Sequence, residues 1–228
     1  MLLTPSFNRG KSTHGIIIHP TGEVGGVIRD ESPYVRPVTA YGGGAVISSG
    51  PFGLALKCRN ATSDYYSIAY SAAAHNLGAS DFSLRFWINF YDVSYRTFFL
   101  CQWGGASDFF YVGKDAAANG NKIEIRAFLG GVDRLSYLSG NLSFNNGIDY
   151  FIETVRAGSS IYLFVNGLNQ GLNTVVPVGA TDIGISGNWE INLCRNDTRY
   201  GDYKISEISL LKGFASHTSD YTPPTRRL

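Results

Sequence analysis

Charge is scarce in this chain. Lys, Arg, Asp and Glu make up 16% of its 228 residues, and 19 basic against 18 acidic side chains leave a formal net charge of +1. So even a balance excludes a general polyanion-binding surface, and no nucleic-acid partner is expected. Long apolar runs are also missing. None approaches the ~18 uninterrupted apolar residues of a membrane span, so no membrane partner is expected either. The opening stretch MLLTPSFNRGKST lacks the apolar core of a signal peptide. Cysteine is limited to Cys58, Cys101 and Cys194, each in a separate apolar run. An odd count without CxxC spacing argues against a disulfide framework or a zinc site. Three buried free thiols, made in a reducing cytoplasm, are the expectation.

Catalytic motifs are absent too. Arg9-Gly10-Lys11-Ser12 ends like a phosphate loop, but Pro5 stands where the first Gly is needed, and no strand leads into it. There is no GxSxG elbow, and His14, His19, His75 and His217 fall near strand ends or in loops. Calcium wants six to eight oxygens. Asp64, Asp197 and Asp202 are loop carboxylates that could contribute, but no DxDxDG-type segment gathers them, so a metal-free, cofactor-free chain is expected.

What the chain does have is glycine, at 27 residues, and aromatics, at 14%. That balance suits many short strands joined by tight turns. In Asp149 to Gly171 a two-residue alternation is followed by a turn at Ala157-Gly158-Ser159-Ser160. A second apolar run, Ile161 to Val165, then closes at Asn166-Gly167. Asn-Gly is the preferred type I′ hairpin pair because both residues must take positive φ. Two hairpins in succession make a meander. From Asp81 to Phe90, Phe82, Leu84, Phe86, Ile88 and Phe90 share one face, with Ser83, Arg85, Trp87 and Asn89 opposite. Such alternation marks a sheet with one face on an apolar core. Further strand-like segments are His14 to Pro20 (HGIIIHP), Phe52 to Cys58, Asp64 to Ala69, Thr97 to Trp103, Phe109 to Gly113, Lys122 to Leu129, Arg134 to Leu138, Asp182 to Ile185, Trp189 to Cys194 and Tyr203 to Leu211. Ala72 to His75 fits a single helical turn. The series predicts an all-β, two-sheet antiparallel jelly-roll sandwich. Its core should take Phe82, Leu84, Phe86, Ile88, Val165, and either Tyr162 or Leu163. No composition break divides it, so one domain is expected over 14–224, between an arm at 1–13 and a tail at 225–228.

Four blocks then carry a family resemblance. They are Phe52-Gly53-Leu54-Ala55-Leu56 with Ser63-Asp64-Tyr65-Tyr66-Ser67-Ile68; Asp81-Phe82-Ser83-Leu84-Arg85-Phe86-Trp87-Ile88; Val155-Arg156-Ala157-Gly158 with Tyr162-Leu163-Phe164-Val165-Asn166-Gly167; and Ile205 to Leu211 with Lys212-Gly213-Phe214-Ala215 and Tyr221-Thr222-Pro223-Pro224. In this order they resemble the laminin-G-like, concanavalin A-like lectin/glucanase sandwich, in the form common in bacteriophage tail and other virion proteins. One departure stands out: Ser206 precedes Glu207 where the family usually has Asp, which weakens any role carried over for an acidic pair.

The resemblance implies a virion protein, decorating a capsid or joining a tail, with other virion proteins as partners and a homo-oligomeric setting in the particle. The alternative it carries is a carbohydrate-binding module for host surface glycans. Glycoside hydrolases of this fold place carboxylates close together on one strand. Here Glu124 lies alone between Lys122 and Arg126, a pattern that suits a salt-paired, solvated face, so a non-enzymatic protein is expected. A glycan site would need aromatic platforms and polar loops. The candidates are Trp103, Tyr111, Trp189, Tyr200 and Tyr203, with Arg195, Asp197 and Asp202 from the polar loop 195–202. In the arm, Leu2, Leu3 and Phe7 are apolar anchors beside the cations Arg9 and Lys11. Alone it buries too little surface to offset its ordering entropy, so it is expected to order against a neighbouring subunit.

Overall fold

The structure, a computed structural model, describes residues 14–18, 28, 30–179, 181–194 and 200–225. Leu2, Leu3, Phe7, Arg9 and Lys11 of the arm, and Arg195 and Asp197 of the polar loop, lie outside the described residues. The strands are β1 (His14–Ile18), β2 (Val38–Tyr41), β3 (Ala45–Gly50), β4 (Gly53–Cys58) and β5 (Tyr65–Ile68), then a one-turn helix α1 (Ala72–His75). There follow β6 (Phe82–Asp92), β7 (Thr97–Gly105), β8 (Asp108–Lys114), β9 (Ile123–Leu129), β10 (Val132–Ser139) and β11 (Asp149–Ala157). The series closes with β12 (Ser160–Val165), β13 (Leu168–Asn169), β14 (Leu172–Val176), β15 (Asn188–Ile191) and β16 (Asp202–Lys212).

They form two antiparallel sheets. The first runs β13-β12-β11-β6-β16-β4-β3, with β1 alongside the second half of β16. The second runs β14-β10-β9-β8-β7-β15-β5-β2. The expected all-β sandwich is what the chain adopts. Alternation on β6 sends Phe82, Leu84, Phe86, Ile88 and Phe90 inward, where they meet Phe99, Phe110, Val112 and Trp189 of the opposite sheet. Phe86 and Phe99 lie 5.4 Å apart across the sandwich, and Phe82 and Phe110 lie 5.7 Å apart. Leu163, not Tyr162, is the fully buried member of its pair, and Val165 packs half-buried against the core. The Asn166-Gly167 turn has φ of 51° and 78°, as type I′ demands. A Cβ on Gly167 would run into the carbonyl of Tyr221, so this glycine also lets a later segment approach.

Two expectations need correcting. Asp182 to Ile185 is irregular rather than a strand, although Ile183 and Ile185 are buried. Its backbone is drawn off any ladder: Ile183 N–H donates to the Gly78 carbonyl, and the Gln102 side chain donates to the Ile185 carbonyl. The buried Arg156 guanidinium binds the carbonyls of Gly78, Gly179 and Thr181 beside it. Conversely, β2, β3 and β14 are strands that the pattern does not announce. All three are sheet edges, and β2 and β14 have largely exposed side chains, so burial imposes no alternation on those two.

The chain after β16 folds back across the outer face of the first sheet. Ser216 N–H donates to Ser83 Oγ at 2.8 Å, and the Ser216 hydroxyl donates to Glu153 Oε1 at 2.6 Å. His217 Nδ1 lies 2.8 Å from Glu153 Oε2, and the His217 ring stacks on Tyr221 at 3.6 Å. Tyr221 packs edge-on to Phe164 and donates its N–H to the Gly167 carbonyl at 2.9 Å. This strap covers the Ser83, Glu153 and Phe164 region of the first sheet.

Candidate functional site

The outer face of the second sheet carries an apolar cluster separate from the core. Phe98, Cys101, Tyr111 and Cys194 are its buried members, with Trp103 and Phe109 packed half-buried against them. Strand register explains the grouping. Trp103 of β7 lies opposite Phe109 of β8, which lies opposite Phe128 of β9. These outward positions on three neighbouring strands form a row of rings. Trp103 and Phe109 stack at 6.0 Å and 7° between planes, and Phe109 and Phe128 at 5.2 Å and 18°. All three rings are half-exposed.

Charge borders the row. Arg126 lies opposite Tyr111, and its guanidinium carbon sits 5.5 Å from the Phe128 ring centre and 5.9 Å from that of Phe109. It is held by a two-pronged pair to Asp133, at 2.6 and 3.1 Å. That bonding keeps its pKa above the usual arginine value despite partial burial. Glu124 pairs with Arg96 at 3.4 Å, not with the flanking Lys122 or Arg126. Asp108 accepts the Gly130 N–H at 2.8 Å. A planar guanidinium, fixed carboxylates and half-exposed rings on one surface suit a ligand with alternating apolar and hydroxyl faces.

The sequence candidates divide here. Trp103 is on this surface. Tyr111 lies beneath it, buried, its hydroxyl held protonated first by burial and then by Glu124. Trp189 is fully buried between the sheets, edge-on to Phe110 at 5.8 Å, and offers no face to a ligand. Tyr203 is likewise buried, its hydroxyl donating to the Phe98 carbonyl at 3.3 Å. Both belong to the inward set of their strands, as Ile191 and Ile205 do. Tyr200 and Asp202 belong to a second group. Tyr200 lies 6.4 Å from Tyr65, which stacks on the exposed Tyr41 at 4.4 Å. Asp202 accepts from Arg59 at 3.2 Å, while the Arg59 guanidinium sits 3.6 Å over the Tyr91 ring. Phe109, Phe128 and Asp133 were not singled out from sequence. The signal for the first two was the outward position in DFFYVGK and IEIRAFL, but only strand pairing aligns them.

The base of the polar loop is a latch. Buried Asn192 accepts from Thr97 Oγ1 at 3.1 Å and from Gly201 N–H at 2.7 Å, and donates to the Asp64 carbonyl at 2.7 Å. Asp64 itself is buried, its carboxylate accepting from Gly43 N–H and Arg59 N–H at 2.7 and 3.1 Å. The Asp64 and Asp202 oxygens thus face protein donors, and among the described residues no cluster of three metal-ligating side chains occurs.

No protein-family model and no curated protein matches the chain. Solved structures do. The binding domain of Paraclostridial Mosquitocidal Protein 1 superposes with a TM-score of 0.68 at 12% identity, over 90% of this chain and 49% of that one. The likeness is one of fold. Domain 4 of AbnA, a GH43 extracellular arabinanase from Geobacillus stearothermophilus in complex with arabinotriose, gives 0.62 at 12% identity, over 82% of this chain and 87% of that one. Botulinum neurotoxin type C, whose cell entry depends on interaction with two ganglioside molecules, gives 0.64 at 13% identity, over 89% and 49%. This chain therefore spans 49% of each of the two toxin chains. The sandwich implied by the sequence resemblance is shared with these structures, and nothing in them bears on a phage origin.

Proposed function

We propose that the chain is a non-enzymatic binding domain that recognises glycans through the outer face of its second sheet. The observation that carries this reading is the contrast between the two outer faces. The first sheet's is crossed by the chain's own strap through Ser216, His217 and Tyr221, whereas the second presents the half-exposed row Trp103, Phe109 and Phe128 beside Arg126 and Asp133. Rings contact the C–H face of a sugar, and the guanidinium and carboxylate orient its hydroxyls. An arabinotriose-bound domain and a ganglioside-dependent toxin of the same fold make a glycan the ligand class to test first. Glu124, Asp133 and Asp108 each hold a protein donor, and a binding role makes no use of a free acid–base pair. The virion setting is carried by the closing block alone, Ile205 to Pro224, and there the domain would serve as a capsid decoration or tail component beside other virion proteins.

Affinity electrophoresis in gels containing bacterial surface polysaccharides tests the reading, coupled to a reducing-end assay on the same mixtures. Retardation by at least one polysaccharide, lost in a Trp103→Ala, Phe109→Ala double variant and unaccompanied by new reducing ends, is expected. Equal retardation of the double variant would move the site elsewhere, and released reducing ends would make the protein an enzyme.

A further inference from the structure

We propose that Cys101 and Cys194 form a disulfide that fastens the polar loop to the candidate binding face. The three cysteines are far apart in sequence, yet Cys101 Sγ and Cys194 Sγ lie 2.9 Å apart, both buried. Cys58 sits in the main core, in a different cluster. Cys101 is on β7, two residues before Trp103, in the outward series of the ring row. Cys194 is two residues past the latch Asn192, where the polar loop departs. The fold thus brings one thiol from β7 and one from the residue that precedes the loop together on the same outer face.

The spacing distinguishes the chemistry open to the pair. Two thiolates on a tetrahedral zinc, with Zn–S of about 2.3 Å, stand roughly 3.8 Å apart. These sulfurs are closer than that, and among the described residues no third His, Cys, Asp or Glu completes a metal set. A covalent S–S bond of about 2.05 Å needs them to close by only about 0.9 Å. With a low-molecular-weight disulfide such as oxidised glutathione as the oxidant, the step balances. One protein thiolate attacks the small disulfide and releases one small thiol. The second protein thiolate attacks the mixed disulfide and releases the other. Two protein S–H bonds are lost, one S–S bond forms, and both protons end on the small thiols. Burial raises the Cys101 pKa and shields both sulfurs, so reaction follows local opening and is slow. Once formed, the bond closes a chain loop across a separation of 93 residues and restricts the unfolded chain accordingly. It also ties Cys194, the residue before the loop, to β7.

The test does not depend on glycan binding. The folded protein is incubated with oxidised glutathione in sub-denaturing urea, quenched, and its free thiols are counted in denaturant. Three thiols should fall to one, a single peptide pair containing Cys101 and Cys194 should appear by mass spectrometry, and the urea midpoint should rise and revert on adding reductant. Cys58→Ser should keep the cross-link and the shift, and Cys194→Ser should show neither. Persistence of three thiols, a cross-link through Cys58, or glutathione held separately on Cys101 or Cys194 would overturn the proposal.

Discussion

Phe86 and His75 are both fully buried, and their contrast shows how burial acts on single side chains here. Phe86 is apolar and packs on Phe99 at 5.4 Å. Phe86→Ala should cost about 3–5 kcal/mol, through lost transfer energy plus the cavity left behind. Near-wild-type stability in urea denaturation would mean that the Phe86 ring does not pack in the core. His75 is different because burial penalises its charge. Desolvation lowers its pKa to about 4 from an ordinary 6.5, and Nδ1 accepts the Ser71 N–H at 3.2 Å, which suits the neutral ring. Above pH 6.5 neither state binds the proton, so His75 contributes no pH dependence. Between 6.5 and 4 the unfolded chain binds it and the folded chain does not, so stability falls as pH falls. The loss is at most about 3 kcal/mol and is complete below pH 4. Denaturation series from pH 7 to pH 4 on the native protein and His75→Gln should diverge over that window, the variant losing less. Parallel curves would show that the ring is protonated in the fold.

Among the elements, the strap after β16 depends on one buried carboxylate. Glu153 accepts Ser216 Oγ and faces His217 Nδ1, while Tyr221 stacks on the His217 ring. Glu153→Ala removes the carboxylate partner of His217 and one of the two acceptors within reach of the Ser216 hydroxyl, Ser83 Oγ being the other, and should cost about 3 kcal/mol. The loss should appear as faster amide exchange in residues 213–225, with β6 and β16 still protected. Uniform exchange across the domain would show that the strap is part of the global unit. The C-terminal block was legible as a sequence motif, but its docking was not, because the hydrogen bonds joining it to Ser83 and Glu153 span 131 to 133 and 63 to 64 residues. Local pattern served best where one face is buried. Strand β6, the β11–β12 meander and the Asn166-Gly167 turn were readable because alternation and positive φ leave marks on sequence. The edges β2 and β14 leave none. The segment Asp182 to Ile185 misled, because its buried isoleucines mimic a strand while Arg156 and Gln102 take up neighbouring carbonyls.

For the whole molecule, the two outer faces are unequal, and that asymmetry carries the functional reading. Sequence alone could list aromatics but not sort them. Trp189 and Tyr203 turned inward, Tyr111 became a support, and Trp103 alone of that set joined Phe109 and Phe128 on the surface. Register between β7, β8 and β9 makes the row, and register is a property of paired strands. The three tryptophans now serve as reporters. Trp103 stands on the second sheet's outer face and Trp87 on the first sheet's, half-buried between Phe52 and Phe151, while Trp189 is in the core. The most direct measurement is therefore tryptophan fluorescence during titration with a polysaccharide that retards the protein. The spectrum should shift on binding, the shift should persist in Trp87→Phe, and it should vanish in Trp103→Phe. A shift that survives Trp103→Phe and disappears in Trp87→Phe would place the ligand on the strapped sheet and contradict the account.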